Sequence, residues 1–553
     1  MATFGLDNSY VAKFVKHFNV EYVREDSATD FFLIPQFEAI YRHCDVSLKS
    51  MVANKLKNGT YGPKTPIEME IPKSARVLAK NISLIPPNYF RPGSTLYPED
   101  RVVYHFLAQE ALDYIEGSMD RSKVYSNKPL KEKGRGFVAA PLQWAELKKE
   151  FEKLIKTGKY KVVLKCDIAQ YFSSINQHEL INQLEHQGYP TELVRFSEKF
   201  LAGLTMDRSS RGIIQGIYAS DVFGNGYLTS IDEFISDSHC PYFRYVDDTY
   251  ILFESSEQFK SFFPKFVKKL RDYDLGLNES KTFITQPIKL LKEETELDKA
   301  IDAAKAEAKL KLTGFTEIEV DSGPYGGVSV EVFEIKPDEK EVELKATQEV
   351  FAALDDFSGE ERHRAESFCL SFFKRAGDAS AVKYVASRWL RNPDQAKEYA
   401  LYLIRFASDE THCAVIDAML VASADDMIDY QWAWAAFLMR SMKSVSTDLL
   451  TLAFAKFKDG SQHEVVRSLL TYTVCRHGSP HRKKEVRDSY GASPLLVQLA
   501  IIHSGAHFTS GERSALMKTA ETHGDLQALM CEAFKAEQKA YCLCPKPAKL
   551  HFR

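Results

Sequence analysis

The sequence predicts an α+β chain in which a mixed strand-and-helix middle precedes an all-α C-terminal part. Two patterns carry this expectation. Between residues 160 and 290 short β-prone runs alternate with helix-period stretches, whereas beyond about residue 345 strand signals vanish and moderate-length helices follow one another across polar turns. The length of 553 residues exceeds one ordinary core at roughly 150 residues per domain, so several units are expected. Their expected bounds are 1–159, a largely helical region with a basic segment; 160–290, the mixed unit; 291–345, a charged helix and β-hairpin connector; and 346–553, an α-helical unit.

Within the first unit, the Pro-rich stretch Pro86-Pro87-Asn88-Tyr89-Phe90-Arg91-Pro92-Gly93 excludes a continuous helix and predicts a structured loop or short hairpin. A helix-period pattern follows, with Asp100 near its start. Leu290–Leu312 is expected as an exposed charged helix, and alternation on either side of Asp321–Gly327 predicts a hairpin over 317–332. In the last unit, Asp394–Phe406, Cys413–Val421, Tyr430–Met442 and Glu464–Cys475 read as successive helices. Stacked pairs of the HEAT type fit this, although no fixed-period repeat is evident.

Composition sets limits. Hydrophobic residues at 44% and charged residues at 27% suit packed domains and give no sign of disorder. No run approaches the roughly 18 apolar residues of a membrane span, and the start lacks a leader pattern, so a cytoplasmic protein without a membrane role is expected. The nine cysteines lack CxxC spacing and suit free thiols; Cys542, Cys544 and His551 in the tail are weak evidence for zinc.

The net charge of −4 hides a basic block. Thirteen Lys/Arg face four Glu between Arg121 and Lys165, with Tyr125, Phe137, Trp144, Phe151 and Tyr160 interspersed. Cations beside stacking aromatics suit a polynucleotide track; an amphipathic helix with a solvated face accounts for them equally.

Chemistry concentrates on three acids. Tyr160–Asp167 reads as a strand that places Asp167 at its end, and Tyr242–Phe253 reads as a hairpin with Asp247 and Asp248 at its tip. Adjacent aspartates can simply make a turn, and Asp355-Asp356 and Asp425-Asp426, in helical surroundings, read that way. Only Asp247-Asp248 lies between β-prone aromatic and aliphatic runs. Carboxylates at strand ends can hold two Mg²⁺ ions for phosphoryl transfer.

Other pieces follow in order. Phe172 lies five residues after Asp167; Gln215-Gly216 allows close backbone approach; Lys281 follows a tight turn at Gly276-Leu277-Asn278. The ordered set Lys165-Cys166-Asp167…Phe172, Gln215-Gly216, Tyr245-Val246-Asp247-Asp248 and Gly276-Leu277-Asn278…Lys281-Thr282 resembles motifs A to D of reverse transcriptases. Arg91-Pro92…Asp100-Arg101-Val102-Val103-Tyr104 resembles the upstream fingers region of the bacterial enzymes. With the long helical C-terminus, the chain is most similar to the abortive-infection and unknown-group reverse transcriptases of bacterial defence.

That resemblance implies a right-hand polymerase with fingers in 1–159 and palm in 160–290. It implies catalytic Asp167, Asp247 and Asp248, and a metal centre of Asp167, Ile168, Asp247 and Asp248 for Mg²⁺, with Mn²⁺ able to substitute. Phe172 would select the sugar, while Arg91, Gln215, Gly216 and Lys281 would contact the nucleotide. Implied partners are dNTPs, RNA or DNA and a second copy of the chain. Two departures stand out: bulky Ile217 and Tyr218 flank Gln215-Gly216, where they would restrict the template, and Pro86-Pro87 occurs where a lysine is common. Lys73, Arg76 and Lys80 are candidate substitutes. The expected activity is RNA-templated or template-independent DNA synthesis in antiphage defence. The rivals are a retron or group II intron-like enzyme copying a dedicated non-coding RNA, and a protein-binding scaffold with a vestigial palm.

Overall fold

The computed structural model describes residues 3–77, 80, 86–130, 136–205, 209–292, 299–301, 303–304 and 337–543. The expected hairpin over 317–332, most of the charged segment before it, and Cys544 and His551 lie outside the described residues.

Four helices, Asn8–His17, Val20–Ser27, Pro35–His43 and Asp45–Lys57, open the chain. They pack against Pro98–Gly117, whose proline sits in the first turn where its missing N–H costs nothing and whose Glu99 and Asp100 favour the N-terminal end of the helix dipole. Between them lies an antiparallel hairpin of β1 (Ile67–Arg76) and β2 (Asn88–Thr95), with Ile71 opposite Arg91 and a register shift between Pro72 and Arg76. From Asn88 the Pro-rich stretch thus becomes a strand: its Pro92 pairs with Glu70 within a two-stranded sheet, which has no second neighbour to claim the lost donor.

The four-stranded sheet has the order β4-β5-β3-β6, with β3 at Val162–Cys166, β4 at Tyr242–Tyr245, β5 at Asp248–Phe253 and β6 at Phe283–Thr285. All its pairings are antiparallel. Apolar residues dominate β4 and β5 because helices cover them: Phe151 of helix Ala140–Lys156 packs on Phe243 and Tyr250, and Phe253 packs on Phe259 and Phe262 of helix Ser256–Asp272.

This packing decides the role of the basic block. Tyr125 and Phe151 are buried core rings, and Trp144 lies against Tyr245 and Tyr250, so these three aromatics serve the sheet instead of stacking bases. Several of the cations are internally paired, as Arg121 with Glu116, Lys153 with Glu150 and Lys159 with Glu254. Over Ala140–Lys156 the amphipathic-helix account of the block fits, with Leu147, Phe151 and Ile155 buried.

From Pro337 the described chain is all-α. Helices Ala396–Leu403, Asp429–Met439, Glu464–His477, Leu495–His503 and Asp525–Leu543 pack each on the next in one row, while Val382–Arg388, Glu410–Ser423 and Thr447–Lys458 form a second row. Asp355-Asp356 end a short 3-10 helix and Asp425-Asp426 lie in a turn, all four exposed. The stack grips the N-terminal helices through polar as well as apolar contacts. Gln36, fully buried, donates to the Leu496 carbonyl at 3.2 Å and accepts from the Tyr472 hydroxyl at 2.9 Å. No described helix is long and apolar enough to cross a membrane.

Candidate active site

Asp247 and Asp248 stand where the hairpin pattern places them. Tyr245 pairs with Asp248, leaving Val246-Asp247 as a two-residue turn. Val246 adopts φ of +55°, a conformation that costs a β-branched residue more than any other type. A buried side chain stabilises that turn from below. Arg244 donates to the Val246 carbonyl at 2.9 Å, to Asn225 at 3.0 Å and to both oxygens of Asp232 at 2.6–3.2 Å. Burial opposes its charge, but the Asp232 carboxylate more than offsets this and holds the guanidinium above its ordinary range.

Asp167 follows β3, one residue beyond the Cys166–Thr249 pair, which sets it beside the hairpin tip. The turn at 274–281 clasps it. The Asn278 backbone N–H donates to the Asp167 carbonyl and the Asn278 side-chain amide to its Oδ2, both at 2.8 Å. Ala169 N–H donates to the Gly276 carbonyl, and buried Ile168 bridges to Leu277. Exposed Lys281 lies with Nζ 3.7 Å from Asp167.

The acids repel one another. Burial first, then the nearby Asp167 and Asp248 carboxylates, push Asp247 up to about 7, with Lys281 offsetting a little. Among the described residues no three acid, histidine or cysteine side chains form a ready-made cage. The donor set still fits a hard divalent cation: carboxylate oxygens at two abutting strand ends, whose mutual repulsion a cation would relieve.

The remaining expected residues are distributed as follows. Gly216 has φ of +88°, which suits glycine, and Gln215 beside it is half-buried. Phe172 is only 3% exposed, lying against Tyr171 and the Gly224 backbone as part of the core beneath Asp167. Arg91 lies over the Phe31 ring at 4.7 Å. Lys73 is within electrostatic reach of Arg91, Lys281 and Asp167; burial and then the two cations lower its pKa. Of the candidate substitutes it is the one that acts electrostatically on Asp167. Arg76 instead bonds the Arg391 carbonyl and Asn392 of the C-terminal helices, so its role is structural.

The flanking residues of Gln215-Gly216 do not crowd a template. Ile217 is fully buried, and Tyr218 packs between Tyr22 and Phe137, because the helix beginning at Tyr218 turns both inward. Sequence reasoning assigned no role to Arg244, Asn278 or Phe31. Only Arg244 left a signal, a cation inside an otherwise apolar strand that demands a buried counter-charge.

Comparison with known proteins agrees on the domain. Residues 76–316 match the family model of reverse transcriptase (RNA-dependent DNA polymerase). No curated protein sequence matches the chain. Among solved structures it is similar to telomerase from Candida albicans in complex with a TWJ fragment of telomeric RNA, at 12% identity and TM-score 0.28 over 65% of this chain and 66% of that one. It is also similar to apo telomerase from Candida tropicalis, at 11% identity and TM-score 0.29 over 73% and 71%. The chain thus spans just under two thirds of the Candida albicans protein. Residues 76–316 thus form a reverse-transcriptase domain, and such a domain indicates an RNA-directed DNA polymerase, a nucleotidyltransferase.

Proposed function

We propose that the chain is a divalent-metal-dependent DNA polymerase that joins dNTPs at Asp167, Asp247 and Asp248, acting in the cytoplasm in bacterial antiphage defence. The observation that carries the chemistry is the convergence of two strand ends bearing acids, where burial and then the neighbouring carboxylates raise the pKa of Asp247. Bound there, Mg²⁺ or Mn²⁺ would polarise the triphosphate and favour the ionised 3′-hydroxyl. The chain's own residues hold that arrangement. Arg244 fixes the hairpin turn, Asn278 orients the Asp167 carboxylate, and Lys73, Arg91 and Lys281 supply positive charge for the phosphates.

The defence role rests on the resemblance to abortive-infection enzymes, together with a helical stack of HEAT-like type that would govern assembly of a homo-oligomer or handling of the product. RNA-templated and template-independent synthesis both suit the site. The test is dNTP incorporation by purified protein with RNA, with DNA and with no template, in Mg²⁺, Mn²⁺ or chelator, followed by sequencing of the product. Metal-dependent DNA lost in Asp248→Ala supports the chemistry, and loss of phage protection in the same variant supports the biology. Full protection by a variant that makes no DNA would remove the polymerase from the defence account.

A further inference from the structure

The loop between helices Val20–Ser27 and Pro35–His43 carries the half-buried ring of Phe31, and three parts of the molecule meet on it. Arg91 of β2 lies over one region of the ring at 4.7 Å. Gly93, two residues along the same strand, is so close that a Cβ there would stand 3.0 Å from the Phe31 ring and 2.3 Å from Ile71. Gly216 abuts the ring as well, where a Cβ would stand 3.0 Å from it. Two glycines from distant parts of the sequence therefore make room for one aromatic side chain. The absence of a side chain at Gly216, which the sequence alone relates to the nucleotide, is also what admits Phe31.

The loop's backbone is held from the other side by the C-terminal helices. Lys397 Nζ donates to the carbonyls of Thr29 at 3.1 Å and Asp30 at 2.9 Å, and Trp434 Nε1 donates to the Phe31 carbonyl at 3.2 Å. Trp434 is 1% exposed, so its indole N–H has no water to turn to. Three successive carbonyls are thereby tied to a helical unit more than 350 residues away in sequence.

We propose that Phe31 is a positioning residue: its ring sets the spacing between Arg91 on the β1–β2 hairpin and the Gln215-Gly216 loop, and the C-terminal helices keep it there through Lys397 and Trp434. The consequence rests on the polymerase reading above. Nucleotide affinity then depends on the C-terminal unit although that unit supplies no group to the reacting atoms. A ring wedged between two backbones transmits position because packed interiors have few intermediate arrangements.

Two measurements on the full chain test this. In steady-state incorporation, Phe31→Ala raises KM for dNTP about tenfold with kcat changed less than threefold, Phe31→Tyr restores KM, and Trp434→Phe, which removes the indole donor and leaves a smaller aromatic ring, raises KM about threefold. An unchanged KM in Phe31→Ala with an active parent enzyme overturns the proposal while leaving the polymerase reading intact; an inactive parent counts against that reading alone. The second measurement needs no activity. Hydrogen exchange in Phe31→Ala increases together in Asn88–Thr95 and in 213–217, with Tyr242–Phe253 unchanged. Trp434→Phe moves the same two segments less. Exchange that rises in only one segment, or in neither, overturns the strut whether or not DNA is made.

Discussion

The chain buries two groups of aspartates and treats them oppositely. Asp26 and Asp30, beneath the β1–β2 hairpin, are matched by Arg101, which donates to Asp26 at 2.6 Å and to Asp30 at 2.5–2.8 Å. His105 completes the set against Asp26 at 2.8 Å, and the Tyr218 N–H reaches the other Asp26 oxygen at 3.2 Å. Asp167, Asp247 and Asp248 instead face one another; Asp167 accepts from the Asn278 amide at 2.8 Å and has exposed Lys281 at a loose 3.7 Å. The first group is satisfied as it stands and ties four elements together. In the second, neighbouring carboxylates oppose the ionisation of Asp247, and a cation between them would relieve that repulsion. Identical side chains therefore report different things according to their partners: a closed network reports architecture, an open one reports a site.

Disabling the open group should cost chemistry and spare the fold. Asp247→Asn is expected to lower dNTP incorporation at least about 1,000-fold, on the order of 4 kcal/mol of transition-state stabilisation, with no fall in Tm. A variant that loses activity only in step with folded content would place Asp247 among structural residues. Disabling the closed group should do the reverse. Arg101→Met leaves two buried carboxylates without their cation and is expected to cost about 3–5 kcal/mol, read by chemical denaturation or by loss of soluble protein. A stability change under about 1 kcal/mol would show the network to be dispensable.

The contrast also explains what was legible in the sequence. Tyr245-Val246-Asp247-Asp248 could be read as a hairpin tip because its evidence is local: β-prone residues on both sides and a tight turn between them. Asp167 at a strand end and the order of the C-terminal helices were legible for the same reason. What was hidden is long-range. Asn278 serves an aspartate 111 residues upstream, and Phe31 fits between Gly93 and Gly216, contacts that no periodicity encodes. Ile217 and the aromatics of the basic block misled in the same way, since burial is a property of the assembled fold.

Protonation gives Asp247 a further signature. A carboxyl whose pKa is raised on folding contributes stability below its unfolded value near 4 and loses it as pH climbs through its folded value, here about 7. Metal-free protein should therefore lose stability between about pH 4 and 7, and Asp247→Asn, which cannot ionise, should be the more stable of the two at pH 8. The partly exposed position screens the effect to on the order of 1–2 kcal/mol. Parallel pH profiles for the two proteins in chelator would count against the raised carboxyl.

The smallest expected effect lies where the open group touches the fold. Asn278 donates twice to Asp167, and only the side-chain donation to Oδ2 is lost in Asn278→Ala; the backbone bond to the Asp167 carbonyl survives. The carboxylate keeps its place in the chain but gains freedom to rotate, so incorporation should fall about three- to tenfold, on the order of 1 kcal/mol, and half-maximal activity should need more Mg²⁺. Saturating metal should recover most of the loss, because orientation that the amide no longer imposes can be imposed by the ion itself. A loss as deep as that of Asp247→Asn, unresponsive to metal, would mean that the 274–281 turn shapes the whole site and that the boundary between the open group and its scaffold lies further out than Asn278.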